Sequence, residues 1–356
     1  MKNLLSSWFK QLLSNWRLVV IVLFFSISLI SGGIYFFSYL KQQKFKDFRT
    51  NLSKTNINLD DLVVGKVAKN DIPNLSHPKL KFQQAKDLDL KPFSEGVLVD
   101  VLGRKRFYPL NILTWHEVVN EFFDGVPYVI TYSPLCDSAV VFQSSINDEG
   151  LTFRASGFLY QNNLVFYDTK TESLWSQAAN KAIAGEMVGT KIKVLPNTQI
   201  MTFAEVKKNF PETEVLSEDT GYILNYSFNP YSGYNLSKDI FYPVNVVNKR
   251  FPQKEMMYVV PLENKSLAFS AKNFPEGKIR ERVVDGVTIR AGRIGKEIIV
   301  NKDKERLSGY QQMWFCWYAQ HQDDGIVWEY DKSLDNLETD AIQKEATNQS
   351  VVPTEK

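Results

Sequence analysis

The sequence predicts a mainly β (α+β) fold: two related β-rich lobes with a few short helices, placed after an N-terminal transmembrane helix. Three observations carry this. Residues 18–40 are 23 positions without one charge. Between residues 62 and 330, short apolar and β-branched runs follow one another, punctuated by Gly, Pro and Asp-Gly pairs. The residues around the first Asp-Gly pair then recur, in altered form, around a second.

At 1.5 Å per residue the charge-free run makes about 34 Å of helix, enough for a ~30 Å hydrocarbon layer. A cleaved signal peptide has a shorter apolar core, ~7–15 residues, and an A-x-A-like site after it. No such site follows here, so the run reads as an uncleaved anchor closed by Arg17 and Lys41. Ahead of it, residues 1–17 place Leu4, Leu5, Trp8, Phe9, Leu12, Leu13 and Trp16 near helical spacing. That leader is either an amphipathic juxtamembrane helix or a frayed end with chance spacing. Basic residues flank the span almost equally, Lys2, Lys10 and Arg17 before it and Lys41, Lys44, Lys46 and Arg49 after it. A short tail before a large soluble part behaves as a start-transfer anchor, which places that part outside the cytoplasm.

Residues 41–61 read as a polar stalk and residues 331–356, without aromatics or periodicity, as a disordered tail. The lobes are expected at 62–245 and 246–330, the second a partial repeat. Strands are expected from Gly96 and from Lys105, then over Trp115–Phe123 and from Val126, the last two joined by Asp124-Gly125. Further strands fall at Ala139–Phe142, Leu151–Ala155, Leu164–Tyr167 and Lys191–Leu195. One short helix is expected over Thr202–Asn209, stopped before Pro211. In the repeat, Phe122-Phe-Asp-Gly-Val is echoed by Val283-Val-Asp-Gly-Val, and Val97 to Leu110 by Met257 to Phe269. Each half closes with a helix and a strand, Phe203–Leu216 and Gln311–Trp328. The second copy has Gly277 opposite His116 and no Cys opposite Cys136, so any chemistry belongs to the first.

Composition excludes several functions. With 42 basic and 40 acidic residues, no excess of positive charge exists to neutralise a run of phosphates, so no nucleic-acid partner is expected. Cys136 and Cys316 alone cannot build a disulfide framework or a four-cysteine zinc site. The membrane is the one partner the sequence implies; protein partners and cofactors are not specified by it.

The candidate site is the segment from Thr131 to Ala139, where Cys136 lies just past a strand. Pairing across Asp124-Gly125 makes partner numbers sum to about 249, which sets His116 opposite Ser133 and within a few residues of Cys136. An imidazole beside a thiol favours the thiolate, the form needed for nucleophilic, redox or soft-metal chemistry. The competing reading is a small buried Cys and a satisfied structural His. Asp168, Ser173, Trp175 and Gln177, with Tyr132, are supporting candidates that either orient His116 or make turns and core. Cys316, in an apolar helical run, is expected to be buried and inert.

Eight blocks in order carry a resemblance: Tyr108-Pro-Leu, Trp115-His-Glu-Val-Val-Asn120, Gly125-Val-Pro, Thr131-Tyr-Ser-Pro-Leu-Cys136, Ser156-Gly-Phe-Leu-Tyr160, Tyr167-Asp, Thr171-Glu-Ser-Leu-Trp-Ser-Gln177 and Ala182-Ile-Ala-Gly185. They resemble the bacterial and archaeal family called domain of unknown function 3179, over most of residues 70–330. The family has no established activity. Its thiol motif usually reads Thr-Tyr-Cys-Pro-Leu-Cys, and some members are described as selenoproteins, which implies thiol redox or metal chemistry. The second cysteine maps onto Cys136, whereas the first position here is Ser133. A dithiol cycle within the motif is therefore closed to this chain. Two readings follow: thiol-redox or metal-linked chemistry centred on Cys136 and His116, or a non-catalytic binding or scaffold module at the cell surface.

Overall fold

The computed structural model describes residues 16–329, apart from 78, 102, 147, 196–197, 271, 273, 275 and 295–296. The tail expected over 331–356 lies outside the described residues, as does the leader, except for Trp16 and Arg17. The chain divides into two compact units between Arg49 and Thr50.

The first unit carries α1, Trp16–Phe45, a 30-residue helix. Its Val19–Phe36 stretch has mean hydropathy 2.3 and no buried residue, so by length and composition it can cross a bilayer, as an anchor or a signal sequence does. The second unit is β-rich, in a β-propeller-like arrangement; 40% strand against 18% helix over the chain makes the fold mainly β, as predicted. Part of the expected stalk belongs to this unit. Asn56 N–H donates to Ile183 O at 3.2 Å, Gly185 N–H to Lys54 O at 2.9 Å, and Thr55 bridges Ala184. These bonds cap the outer edge of the Lys181–Ala184 strand, which would otherwise present unpaired amides.

The repeat read from the sequence is a repeat of sheet topology. The hairpin Glu95–Val101 and Arg104–Pro109 is flanked by Thr198–Thr202, antiparallel, and by Glu214–Leu216, parallel. The hairpin Met256–Pro261 and Ser266–Ser270 is flanked in the same way by Tyr310–Met313 and Gly325–Val327. In each copy a seven-residue helix joins the two flanking strands. These are α3, Phe203–Asn209, and α4, Trp314–Gln320. Both helices start on matching carbonyls: Phe203 N–H on Ser94 O at 2.7 Å, Trp314 N–H on Glu255 O at 2.8 Å. Thr202 caps α3 with a reciprocal Thr-Glu205 box.

Between hairpin and flanking strands each copy inserts a meander that opens with an Asp-Gly turn. Asp124 and Gly125 have φ of 44° and 87°, Asp285 and Gly286 49° and 78°. Both central residues of such a turn need positive φ, and this pair tolerates it. The register of the first meander is the predicted one: Val118 faces Thr131 and Asn120 faces Val129, each pair summing to 249. Only the first copy inserts a further five-stranded sheet, in which Leu62–Val64 and Asn163–Asp168 flank Phe153–Tyr160. One core joins that sheet and the first meander to the second copy: Phe153, Phe166 and Trp175 of the sheet and Phe142 of the meander share one buried cluster with Met257, Val259, Trp314 and Trp317.

One expected strand is partly a helix. The strand predicted over Trp115–Phe123 begins only at Val118; α2, Leu110–His116, occupies the residues before it. Leu110-Asn-Ile-Leu-Thr-Trp-His holds Ile112, Leu113 and His116 on one buried face, a helical spacing. That α2 ends on Glu117, at φ 53° and ψ −30°, where the chain reverses into the strand.

Candidate functional site

Cys136 and Cys316 form a disulfide across 180 residues, with Cα atoms 6.0 Å apart. Cys136 lies in the tight turn after Val126–Ser133 and Cys316 in α4; both are fully buried. Met313 N–H donates to Cys136 O at 3.0 Å beside the bond. Leu135, Tyr234, Met313 and Phe315 pack around it. The free thiol expected at Cys136 and the unreactive thiol expected at Cys316 are both corrected by this bond. Pairing was hidden because it depends on α4 meeting a turn far earlier in the chain.

His116 does not continue the strand, so it does not face Ser133. Its Nδ1 lies 2.5 Å from Pro73 O, a carbonyl that can only accept, so this nitrogen carries the proton. Its Nε2 then accepts from Tyr226 Oη at 2.7 Å, and Tyr226 Oη in turn lies 2.6 Å from Thr220 Oγ1. Burial lowers the His116 pKa, partly opposed by the Pro73 bond. A neutral ring with both nitrogens engaged has no charge to lend a thiolate, and Cys136 has none to receive it. His116→Ala is expected to cost about 2–4 kcal/mol, through a cavity and the loss of the bonds to Pro73 O and Tyr226 Oη, with cysteine alkylation unchanged. His116 must stay neutral in the fold. Its stabilisation is therefore present above the unfolded pKa near 6.5 and is lost as pH falls below it. Urea titrations at pH 8 and pH 5 should show the wild-type advantage shrinking at the lower pH.

The supporting candidates divide. Asp168 accepts from Thr171 N at 2.6 Å, Thr171 Oγ1 at 2.8 Å and Trp175 Nε1 at 3.1 Å. Ser173 Oγ accepts from Met187 N at 3.0 Å. Gln177 Nε2 donates to Thr131 Oγ1 and Ser138 O, and its Oε1 accepts from Asn163 Nδ2. Tyr132 Oη donates to Asp137 Oδ1 at 3.0 Å. These bonds close turns and tie neighbouring strands, and none of them reaches His116. Ser133 is different. Its Oγ accepts from Leu164 N at 3.2 Å and the residue lines a cavity.

Three of the quoted blocks, with the segment at Pro230–Tyr231, converge on that cavity, of about 280 Å³. Thr114, Trp115 and Glu117 come from the end of α2, and Ser133, Pro134 and Leu135 from the thiol motif. Gly157, Phe158 and Leu159 come from the Ser-Gly-Phe-Leu-Tyr block, and Pro230 and Tyr231 from the connector between the copies. Glu117 is the only acid among them. No hydrogen bond or ion pair of its carboxylate is found among the described residues, and burial pushes its pKa up to about 8. Its field also raises the Tyr231 phenol, whose own burial is the larger cause. Glutamate at positive φ is uncommon and is kept where the surroundings over-determine it. Here they do: Glu117 N–H closes α2 on Leu113 O at 2.7 Å, and Glu117 O accepts from Tyr132 N at 2.8 Å.

The sequence reading passed over Glu117, although it stood between His116 and an apolar strand, where an unpaired acid is anomalous. Gly157, another wall residue, explains its block physically. At φ 79°, a Cβ on it would meet Val67 O at 2.6 Å, and its carbonyl accepts from Gly65 N at 2.8 Å. It thus clamps residues 65–67 over the cavity. Gly157→Ala is expected to cost roughly 2–4 kcal/mol in urea unfolding, from backbone strain plus that collision.

Among the described residues, no group of three His, Cys, Asp or Glu side chains is placed to hold a metal ion. What the fold and site define is a β-propeller-like domain with an acid-bearing cavity and a buried disulfide, following an apolar helix. The chain belongs to the DUF3179 family, a protein family of unknown function, whose model matches residues 69–341. No curated protein and no solved structure matches it.

Proposed function

We propose that this is a membrane-anchored, extracytoplasmic binding module whose cavity at Glu117 holds a small ligand, and that it is not a thiol enzyme. The observation that carries the reading is the convergence of three of the quoted sequence blocks, and of the segment at Pro230–Tyr231, on one small, largely apolar cavity with a single acid in its wall. Such a cavity, with few polar groups, is the usual form of a small-molecule site. Thiol chemistry at Cys136 is disfavoured because its sulfur is bonded to Cys316 and buried, out of reach of an attacking thiolate. A disulfide of this kind persists in oxidising compartments, which supports placing the domain outside the cytoplasm, with α1 as the anchor.

The test is ligand-detected NMR on the full chain in nanodiscs, using 3,3-dimethylbutan-1-ol as a small amphipathic probe. Saturable binding in wild type, lost when Leu159→Trp fills the cavity, is expected. Equal signals from the two proteins, or none from either, would overturn the reading. Protease added to intact cells should cleave the domain; protection of the domain would reverse the topology.

A further inference from the structure

We infer that the cavity is a site for a small organic ammonium ion, with Glu117 as its counter-charge and aromatic side chains as its walls. The inference deepens the binding-module reading and rests on it. It starts from an incomplete electrostatic arrangement. A carboxylate withdrawn from water is normally paired with a cation or held by several donors. Glu117 has neither among the described residues, yet it lines an accessible cavity and is not sealed in the core. The lining cation, Lys66, is solvent-exposed, and it does not figure among the causes of the Glu117 shift.

The remaining lining says what the missing partner is like. Five aromatic residues, Trp115, Phe158, Tyr231, Phe241 and Tyr242, line the cavity that holds this one acid. Aromatic faces attract a cation and tolerate methyl groups on it, and an alkylated ammonium, being weakly hydrated, loses little on leaving water. A metal ion is a poor fit, because the lining offers one carboxylate and few other oxygen donors. An anion is worse, since it would face Glu117. Thr114 Oγ1, whose proton goes to Leu110 O, can still accept from a ligand's polar group, and Ser133 Oγ, which accepts from Leu164 N, can still donate to one.

Binding such a cation makes a definite proton account. The titratable groups facing Glu117 are Tyr231, Tyr242 and Lys66, with His116 adjacent in the chain. Below about pH 8 the carboxyl is mainly protonated. A cation entering then favours the carboxylate and displaces its proton to solvent.

The experiment compares choline with 3,3-dimethylbutan-1-ol, its uncharged isostere, on the full chain in nanodiscs by titration calorimetry. At pH 9 choline is expected to bind the wild type roughly 10- to 100-fold tighter than the alcohol, a charge pair and ring contacts being the source. At pH 6 that ratio should fall. Near pH 7, repeating the titration in buffers of different ionisation enthalpy should show roughly 0.4–0.8 proton released, the amount linked to a 10- to 100-fold preference for the carboxylate. Glu117→Gln, which keeps the shape, should bring the ratio near one and abolish proton release. If the alcohol binds as tightly as choline, or Glu117→Gln leaves the ratio intact, the ammonium inference fails while the binding-module reading stands. If neither probe binds and neither responds to Leu159→Trp, both fail.

Discussion

Cys136→Ala combined with Cys316→Ala should lower the unfolding free energy of the domain by about 3–5 kcal/mol. A bond closing a 180-residue loop removes more denatured-state entropy than almost any single contact can supply. The chain-entropy account gives about 5 kcal/mol for a loop this long, and measured losses usually fall somewhat short of it. The bond also sits where two halves of the domain meet: Cys136 O accepts from Met313 N, and Leu135, Cys136, Met313 and Phe315 share one apolar cluster. Leu135 lines the cavity as well. Loss of the bond is therefore expected to weaken probe binding along with stability. Urea midpoints for oxidised wild type, wild type unfolded in reductant, and the double variant make the measurement. The reduced protein should match the double variant within about 1 kcal/mol, because burial leaves a thiol pair little to gain. If all three midpoints coincide, the bond is not formed in solution and the thiol reading of Cys136 reopens.

How much of this was legible in the sequence depended on the range of the interaction. The charge-free run, the Asp-Gly turns and the stop before Pro211 are local signals; the first meander keeps the expected register, while α1 extends past the expected 18–40 at both ends, over Trp16–Phe45. The duplicated sheet was legible too, since Val97 to Leu110 and Met257 to Phe269 form the same hairpin, flanked in the same order. The site was misread one residue at a time. The register across Asp124-Gly125 was right, but extending it back to His116 ignored the helical spacing of Ile112, Leu113 and His116. Once α2 ends at His116, the ring turns to Pro73 and Tyr226, and its neighbour Glu117 lines the cavity. A positive φ on glutamate leaves no mark in a sequence, because glutamate is not a turn residue. The partner of Cys136 was equally invisible, being set by the packing of α4 against a turn of another sheet. Ser133, named for thiol chemistry, lies instead in the cavity wall, with its Oγ on Leu164 N.

Glu117→Gln should stabilise the protein, and by an amount that grows with pH. The wild-type carboxyl titrates near 8 in the fold, raised by burial, against an ordinary value of 4.5. A carboxyl raised in this way contributes its full stability below pH 4.5, where both folded and unfolded chains hold the proton. Between 4.5 and 8 the unfolded chain ionises while the folded one resists, and stability drains at about 1.4 kcal/mol per pH unit. Above 8 the loss is complete, roughly 3–5 kcal/mol on this group alone. Glutamine presents a neutral amide in place of a neutral acid, so the variant should match wild type near pH 4.5 and exceed it by several kcal/mol at pH 9. His116 titrates in the opposite sense over part of this window, but it is common to both proteins and leaves the difference unchanged. Tyr231, Tyr242 and Lys66 also face the cavity and are common to both. Paired urea titrations from pH 4.5 to 9 measure the difference directly. A flat difference would mean that Glu117 is solvated or paired in solution, and the cavity would lose its one chemically distinctive group. A rising difference would show that the fold carries an acid at a cost no packing role explains, since the uncharged amide would pack as well. Destabilising residues of that kind are retained where they do something in the bound state. Saturating choline should then reduce the advantage of the glutamine variant at pH 9, because only the carboxylate gains a partner.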